Sequence, residues 1–348
     1  MTPKVEIPPA TVMPPLPNKS KGESSSVKKV LLQFAPFFGL LSVFILFVIL
    51  CPPAFYSFYN FKTIITQTVI VGIAAMGMTM IIISGGIDLS VGSQIALGTV
   101  VIATILNMGG PGVEASTGIT ILAALGAIAA CAVCGWLIGL TTSRLNIVPF
   151  IVTLGVMQIA RGVAKWIGKE QTVSTPVNNL QKLMLLDPEP EWLIFAPGVW
   201  ITILLVALTA VVLKYTVFGR YIFAIGSNEK TARLCGINVS LTRMAIYTFS
   251  ALFTGVASVM QYSNLTVGDP TAAAGMELDI IAAVVIGGGS LSGGEGSAMG
   301  SIIGALIMAV LRNGCNMLGV PNFVQEVIIG VIIIGAVAID RLKHHIKA

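Results

Sequence analysis

In SGGIDLSVGS (residues 84–93) one carboxylate and three serines interrupt a sequence that is apolar on both sides. A carboxylate beside hydroxyls can accept backbone N–H bonds at the start of a helix, or it can hydrogen-bond a polar solute. The run that follows begins at residue 91, so Asp88 is expected to cap that helix, with Ser90 able to do the same. A second polar group lies in GSNEKTARLCG (226–236). Asn228 is placed to cap a short helix that Glu229 opens, and Gly236 to end it in a left-handed turn. A third group is Glu277 and Asp279, then Arg312, Asn313 and Asn316, then Glu326. A spacing of four puts Arg312 and Asn316 on one helical face, which either lines a polar path or lets Arg312 snorkel outward, and Glu326 is a candidate partner for Arg312.

Catalysis by a nucleophile or a metal finds little to work with. The only histidines, His344 and His345, stand near the C-terminal end. Cys131 and Cys134 form a CxxC inside an apolar run, without a second pair or nearby histidines to complete four zinc ligands. They read as small residues packed on one helical face. No GxxxxGK[ST] phosphate loop occurs, so this chain is not expected to bind ATP or any other cofactor.

The elements that position these groups must lie in a membrane. Of 348 residues, 55% are apolar and 10% charged, against about 25% charged in soluble domains. Ten apolar runs are predicted as helices, at roughly 31–50, 63–84, 91–108, 117–141, 147–167, 197–214, 244–262, 278–289, 297–315 and 322–339. A crossing needs about 20 apolar residues, so the eighth run is short for a full span. Residues 1–29 hold six prolines with many serines and lysines and are expected to be a disordered cytoplasmic tail. The membrane domain is placed at 30–342, with a cytoplasmic segment at 215–243 and a cytoplasmic tip at 343–348. With alternating spans and the tail inside, fourteen of the twenty Lys and Arg fall on the inner side. The positive-inside rule therefore supports two cytoplasmic termini. The net charge of +5 follows from these flanking residues, not from a basic block with interleaved aromatics, and nucleic acid is not expected as a partner.

Shifted by 202 residues, GGIDLSVG (85–92) lies on GGGSLSGG (287–294), with five of eight positions identical. Paired Gly-interrupted segments are a sign of a transporter built from two halves. The topology puts both strings at inner helix ends.

The order GMTMIIISGGIDLSVGS, GRYIFAIGSNEKTARLCGIN, PTAAAGMELDIIAAVVIGGGSLSGGEGS, GALIMAVLRNGCNMLGV resembles the permease subunit of ribose-type ABC importers, the branched-chain/monosaccharide permease family, over about 35–342. The resemblance implies an all-α integral membrane protein of about ten helices, like a type II ABC importer permease, in the bacterial inner membrane. It implies a cytoplasmic ABC ATPase that holds ATP-Mg, a periplasmic sugar-binding protein, and a second permease copy, usually as a homodimer. Gly226, Asn228, Glu229, Ala232, Arg233 and Gly236 match the segment that docks on the ATPase. They depart from the usual Glu-Ala-Ala, since Glu229-Lys230-Thr231-Ala232 stands there. Gly86, Asp88, Ser90, Gly92 and Ser93 match the family's signature hairpin.

A sugar is neutral, so its path needs hydrogen-bonding groups more than charge. The expected lining is Gln67, Ser93, Gln94, Thr153, Gln158, Ser250 and Gln261, with Asn313 and Asn316. An ion-coupled secondary transporter of a small polar solute is the alternative, and it would call for more carboxylates in mid-helix. A membrane enzyme would need clustered His, Asp or Glu.

Overall fold

The computed structural model describes residues 22–110, 114–145, 147–190 and 192–347. The chain divides into two compact units, up to Ala35 and from Pro36 onward. In the first unit the described residues are the opening turns of helix α1 (Gly22–Leu50). Residues 22–29, assigned to the tail from sequence, are thus helical, while the tail's residues 1–21 lie outside the described residues.

The second unit is all helix apart from loops and one bridge pairing Val173 with Gly268, among the described residues. Six helices are long and apolar enough to cross a membrane. They are α2 (Phe58–Ile83), α4 (Thr117–Arg144), α5 (Pro149–Ile167), α6 (Pro197–Tyr215), α9 (Val239–Leu265) and α11 (Ala298–Met317). Between them stand α3 (Val91–Leu106), α7 (Val217–Ser227), α8 (Glu229–Leu234) and α10 (Met276–Ile286), with α12 (Asn322–Lys347) last. Local chemistry fixes the starts. Ser57, Ser116, Asn238 and Ser297 accept amide bonds as N-caps, and Pro149 and Pro197 open α5 and α6, where a missing N–H costs nothing.

From Val69 onward α2 is apolar almost all round, and the helix is buried along most of its length, the pattern of a central helix. It packs against α9, α11, α10 and α6. α4 and α9 share the most extensive helix contact. A β-carbon at Gly135 would lie 2.4 Å from the Ala251 β-carbon, one at Gly139 2.6 Å from Met244 Cα, and one at Gly255 2.6 Å from Ile128 Cα. With little hydrophobic drive between helices in lipid, such small-residue seams carry the packing.

The stretch 84–93 does not stay at one level. At its start, Gly294 N donates to Ile83 O at 2.8 Å, beyond the C-terminal end of α10. At its end, a β-carbon on Gly92 would lie 2.3 Å from Glu277 Oε2 and 2.5 Å from Ala273 O, at the opposite end of α10. α10 has 11 residues, about 16 Å. The hairpin therefore climbs the length of α10 before α3 begins, which corrects its placement wholly at the inner end of α2. The second glycine string does reach the end of α2 just before the first begins, through the bond from Gly294 N to Ile83 O. The reason is in the partners: positive φ at Gly85 turns the chain back into protein, where buried polar backbone is tolerated.

Candidate functional site

A cavity of about 560 Å³ opens among the first turns of α2, the last turns of α9 and α11, and the start of α10. The helices place it at the end opposite α8, because α2 begins at the cavity and ends beside α7. Thr63, Thr66 and Gln67 face it from α2, and Gln261 and Asn264 from α9. Asp279 and Arg312 are the charged members of its lining, joined by a bond from Arg312 Nη2 to Asp279 Oδ2. Asn316, one turn beyond Arg312, accepts from Gln325 Nε2 at 2.8 Å. Met276, Met308 and Ile70 supply apolar wall. The mixture of amides, hydroxyls and apolar faces suits a small polar solute.

Of the path residues expected from sequence, Gln67, Gln261 and Asn316 line this cavity. The others stand elsewhere. Asn313 is buried in a reciprocal amide pair with Asn60, two bonds of 3.0 Å that tie α11 to the start of α2. Thr153 Oγ1 donates to Phe150 O at 3.1 Å and meets Ile87 O at 3.4 Å, holding α5 to the hairpin. Gln158 lies on an exposed face of α5. Ser93 is buried in the first turn of α3. Ser250 packs on Gly77, where a β-carbon would come within 2.7 Å of its Oγ. The partner of Arg312 is Asp279, not Glu326, because α10 lies directly against α11. Sequence reading missed Thr63, Thr66 and Asn264. A polar stripe at 63, 66 and 67 on the outer turns of α2 was the available signal.

The hairpin contains a second buried carboxylate. Asp88, 1% exposed, accepts from Ser90 N at 2.8 Å and from Ser90 Oγ at 2.5 Å. Gln94 Nε2 in turn donates to Ser90 Oγ at 2.7 Å. Asp88 is therefore not the cap expected from sequence. Ser90 takes the N-cap position of α3 without a side-chain cap bond, because its hydroxyl is committed to Asp88. Gly86 sits against Tyr247 Oη, which a β-carbon would approach to 2.5 Å.

At the other end, α8 forms as its capping residues dictate. Asn228 Oδ1 accepts from Thr231 N at 3.0 Å. Gly236, at φ 83°, donates to Arg233 O, and Ile237 N donates to Ala232 O. Glu229 bridges two arginines, Arg233 at 2.9 Å and Arg243 of α9 at 2.7 Å. Ala232 is buried, whereas Leu234 is 88% exposed, an apolar knob beside Arg233 that sequence reading passed over. Gly226 lies so close to α2 that a β-carbon would come 1.7 Å from Ile83 O and 2.7 Å from Gly294 N.

Residues 60–337 match the model of the branched-chain amino acid transport system / permease component family. The chain belongs to this permease family. It is 37% identical to the ribose import permease protein of Escherichia coli K12 over 87% of this chain and 92% of that protein. It is 33% identical to the fructose import permease protein of Rhizobium meliloti (90% of this chain, 86% of the relative). It is likewise 33% identical to the L-arabinose transport system permease protein of Escherichia coli K12 (89% and 92%). No solved structure matches the permease.

Proposed function

We propose that this chain is the membrane permease subunit of an ABC importer that carries a monosaccharide into the cytoplasm. The observation that carries the reading is the cavity: hydrogen-bonding side chains around one internally neutralised ion pair, at the end of the bundle opposite α8. Ribose, fructose and arabinose, the sugars named for its relatives, are neutral polyols that such a lining serves.

In the finer reading, about ten helices of the domain 30–342 enter the bacterial inner membrane, both termini are cytoplasmic, and two copies pair. The distribution of Lys and Arg supports that orientation. ATP-Mg belongs to a separate ATPase, and a periplasmic binding protein delivers the sugar at the cavity end. The segment 215–243 is the ATPase contact, with Glu229, Arg233 and the Leu234 knob as its surface. Behind it, Gly226 seats on Ile83, and the hairpin that starts there ends at Gly92 against Ala273 of the cavity lining. Movement imposed on α8 thus meets an unbroken packed series of residues leading to the cavity.

Proteoliposomes test this. Uptake is expected only with the ATPase, the binding protein and ATP together, and uptake by the permease alone would overturn the reading. Glu229→Arg, which also breaks the bridge to Arg243, is expected to cut ATPase co-purification and stimulated hydrolysis at least tenfold. Survival of both in that variant would remove α8 from the contact.

A further inference from the structure

We infer that the Arg312–Asp279 pair holds the sugar in the cavity, Arg312 donating to hydroxyl oxygens while Asp279 cancels its charge. The inference rests on the importer reading above and adds a site to it. Three observations lead there. These two are the charged side chains of the lining, so whatever enters meets them. They are unequally covered: the Arg312 side chain is 44% exposed and that of Asp279 7%. One guanidinium N–H goes to Asp279, and a guanidinium carries five N–H donors in a rigid plane, so Arg312 has donors to spare for a solute in the cavity it lines. Gln67, Gln261 and Asn316 stand around the pair as further donors and acceptors.

A mere strut between α10 and α11 would not call for this arrangement. Ion pairs taken out of water are often replaceable by apolar residues at no loss of stability. Here the pair costs desolvation on the Asp279 side while its arginine stays open to the cavity. Neutralised charge also gives selectivity. A neutral polyol can take N–H bonds from Arg312 without leaving a net charge behind, whereas a sugar acid would compete with Asp279 for the guanidinium. An amino sugar would bring a cation against it.

The test uses the complete importer, permease with ATPase and loaded binding protein, in proteoliposomes. Wild type is offered ribose, L-arabinose and fructose, and failure to take up any of them would count against the importer reading, not against this site. The sugar taken up is then compared with its mono-deoxy analogues in wild type and in Arg312→Gln. The binding protein is common to both, so its own preference cancels in the double comparison. In wild type at least one analogue is expected to be about tenfold slower than the parent sugar, the usual loss of a bond to a charged donor. In Arg312→Gln that ratio is expected to fall toward one. An unchanged ratio at every hydroxyl would overturn the inference, since a strut would lower all rates together. A second measurement needs no variant: phenylglyoxal modification of wild-type Arg312, followed by mass spectrometry. The transported sugar is expected to slow it several-fold while leaving exposed Arg144, outside both the cavity and the segment 215–243, unaffected. Equal rates with and without sugar would also overturn it.

Discussion

Asp88 and Asp279 are both buried carboxylates in a chain that is mostly apolar, with 1% and 5% exposure, and both stand at the start of a helix. Their surroundings divide them. Asp279 faces a cavity and is tied to Arg312 of another helix. Asp88 is bonded to Ser90, two residues away, and has no basic partner within 4 Å among the described residues. A carboxylate that must neutralise a cation depends on its charge. One that folds its own chain into a turn depends on its acceptor oxygens. The comparison separates two uses of one residue type, and single substitutions can break it.

The largest effect is expected at the paired site. Asp279→Asn keeps the shape but leaves Arg312 without its counter-charge. Breaking a fully buried pair costs roughly 3–5 kcal/mol, and the half-exposed arginine lowers this to about 2 kcal/mol. Thermal unfolding of the purified permease should report that loss, and sugar uptake by the assembled importer should fall at least tenfold. An Asp279→Asn variant with wild-type uptake and melting temperature would mean the charge at 279 is idle, like the one at 88.

A smaller loss is expected when the acceptor of the hairpin is removed. Asp88→Ala leaves the amide and hydroxyl of Ser90 without an acceptor, at about 1–3 kcal/mol. Asp88→Asn keeps an oxygen in place of Oδ1 and removes a charge buried without a cation, so its stability should stay within about 1 kcal/mol of wild type. The ordering Asp279→Asn below Asp88→Asn in melting temperature is the sharpest form of the comparison. The reverse order would mean that Asp88 is the carboxylate whose charge matters.

These contrasts show which features a sequence exposes. α8 was readable from Asn228 and Gly236 because a cap and a left-handed stop are local chemistry. The permease family was readable from four motifs in order. The level reached by 84–93 was not, because counting Lys and Arg senses only the ends of spans, while Gly92 is placed by Glu277, far away in sequence. Arg312 stands out in the sequence as a charge within an apolar run, where Glu326 is its nearest carboxylate along the chain. The fold instead lays α10 beside it. Gln94, Thr153, Ser250 and Asn313 were legible as polar groups in apolar helices, yet a period of 3.6 cannot say which neighbour a face meets. Here those faces meet the hairpin or other helices rather than the cavity.

The smallest effect concerns the helix that closes over the hairpin. Tyr247 of α9 is 1% exposed and its hydroxyl, set against Gly86, has no hydrogen-bond partner among the described residues. A buried hydroxyl without a partner costs more than it returns, so its removal should be neutral or favourable. Tyr247→Phe is therefore expected to leave the melting temperature unchanged or raise it by the equivalent of about 1 kcal/mol or less, the small gap over Gly86 opposing the gain. The same variant bears on Asp88. Were the Tyr247 hydroxyl to donate to that carboxylate in the working protein, the Asp88 turn would rest on two helices and not on Ser90 alone. Tyr247→Phe would then destabilise the permease, and combining it with Asp88→Asn would give less than the sum of the two losses. Additive, near-zero effects would leave the hairpin as a self-contained turn.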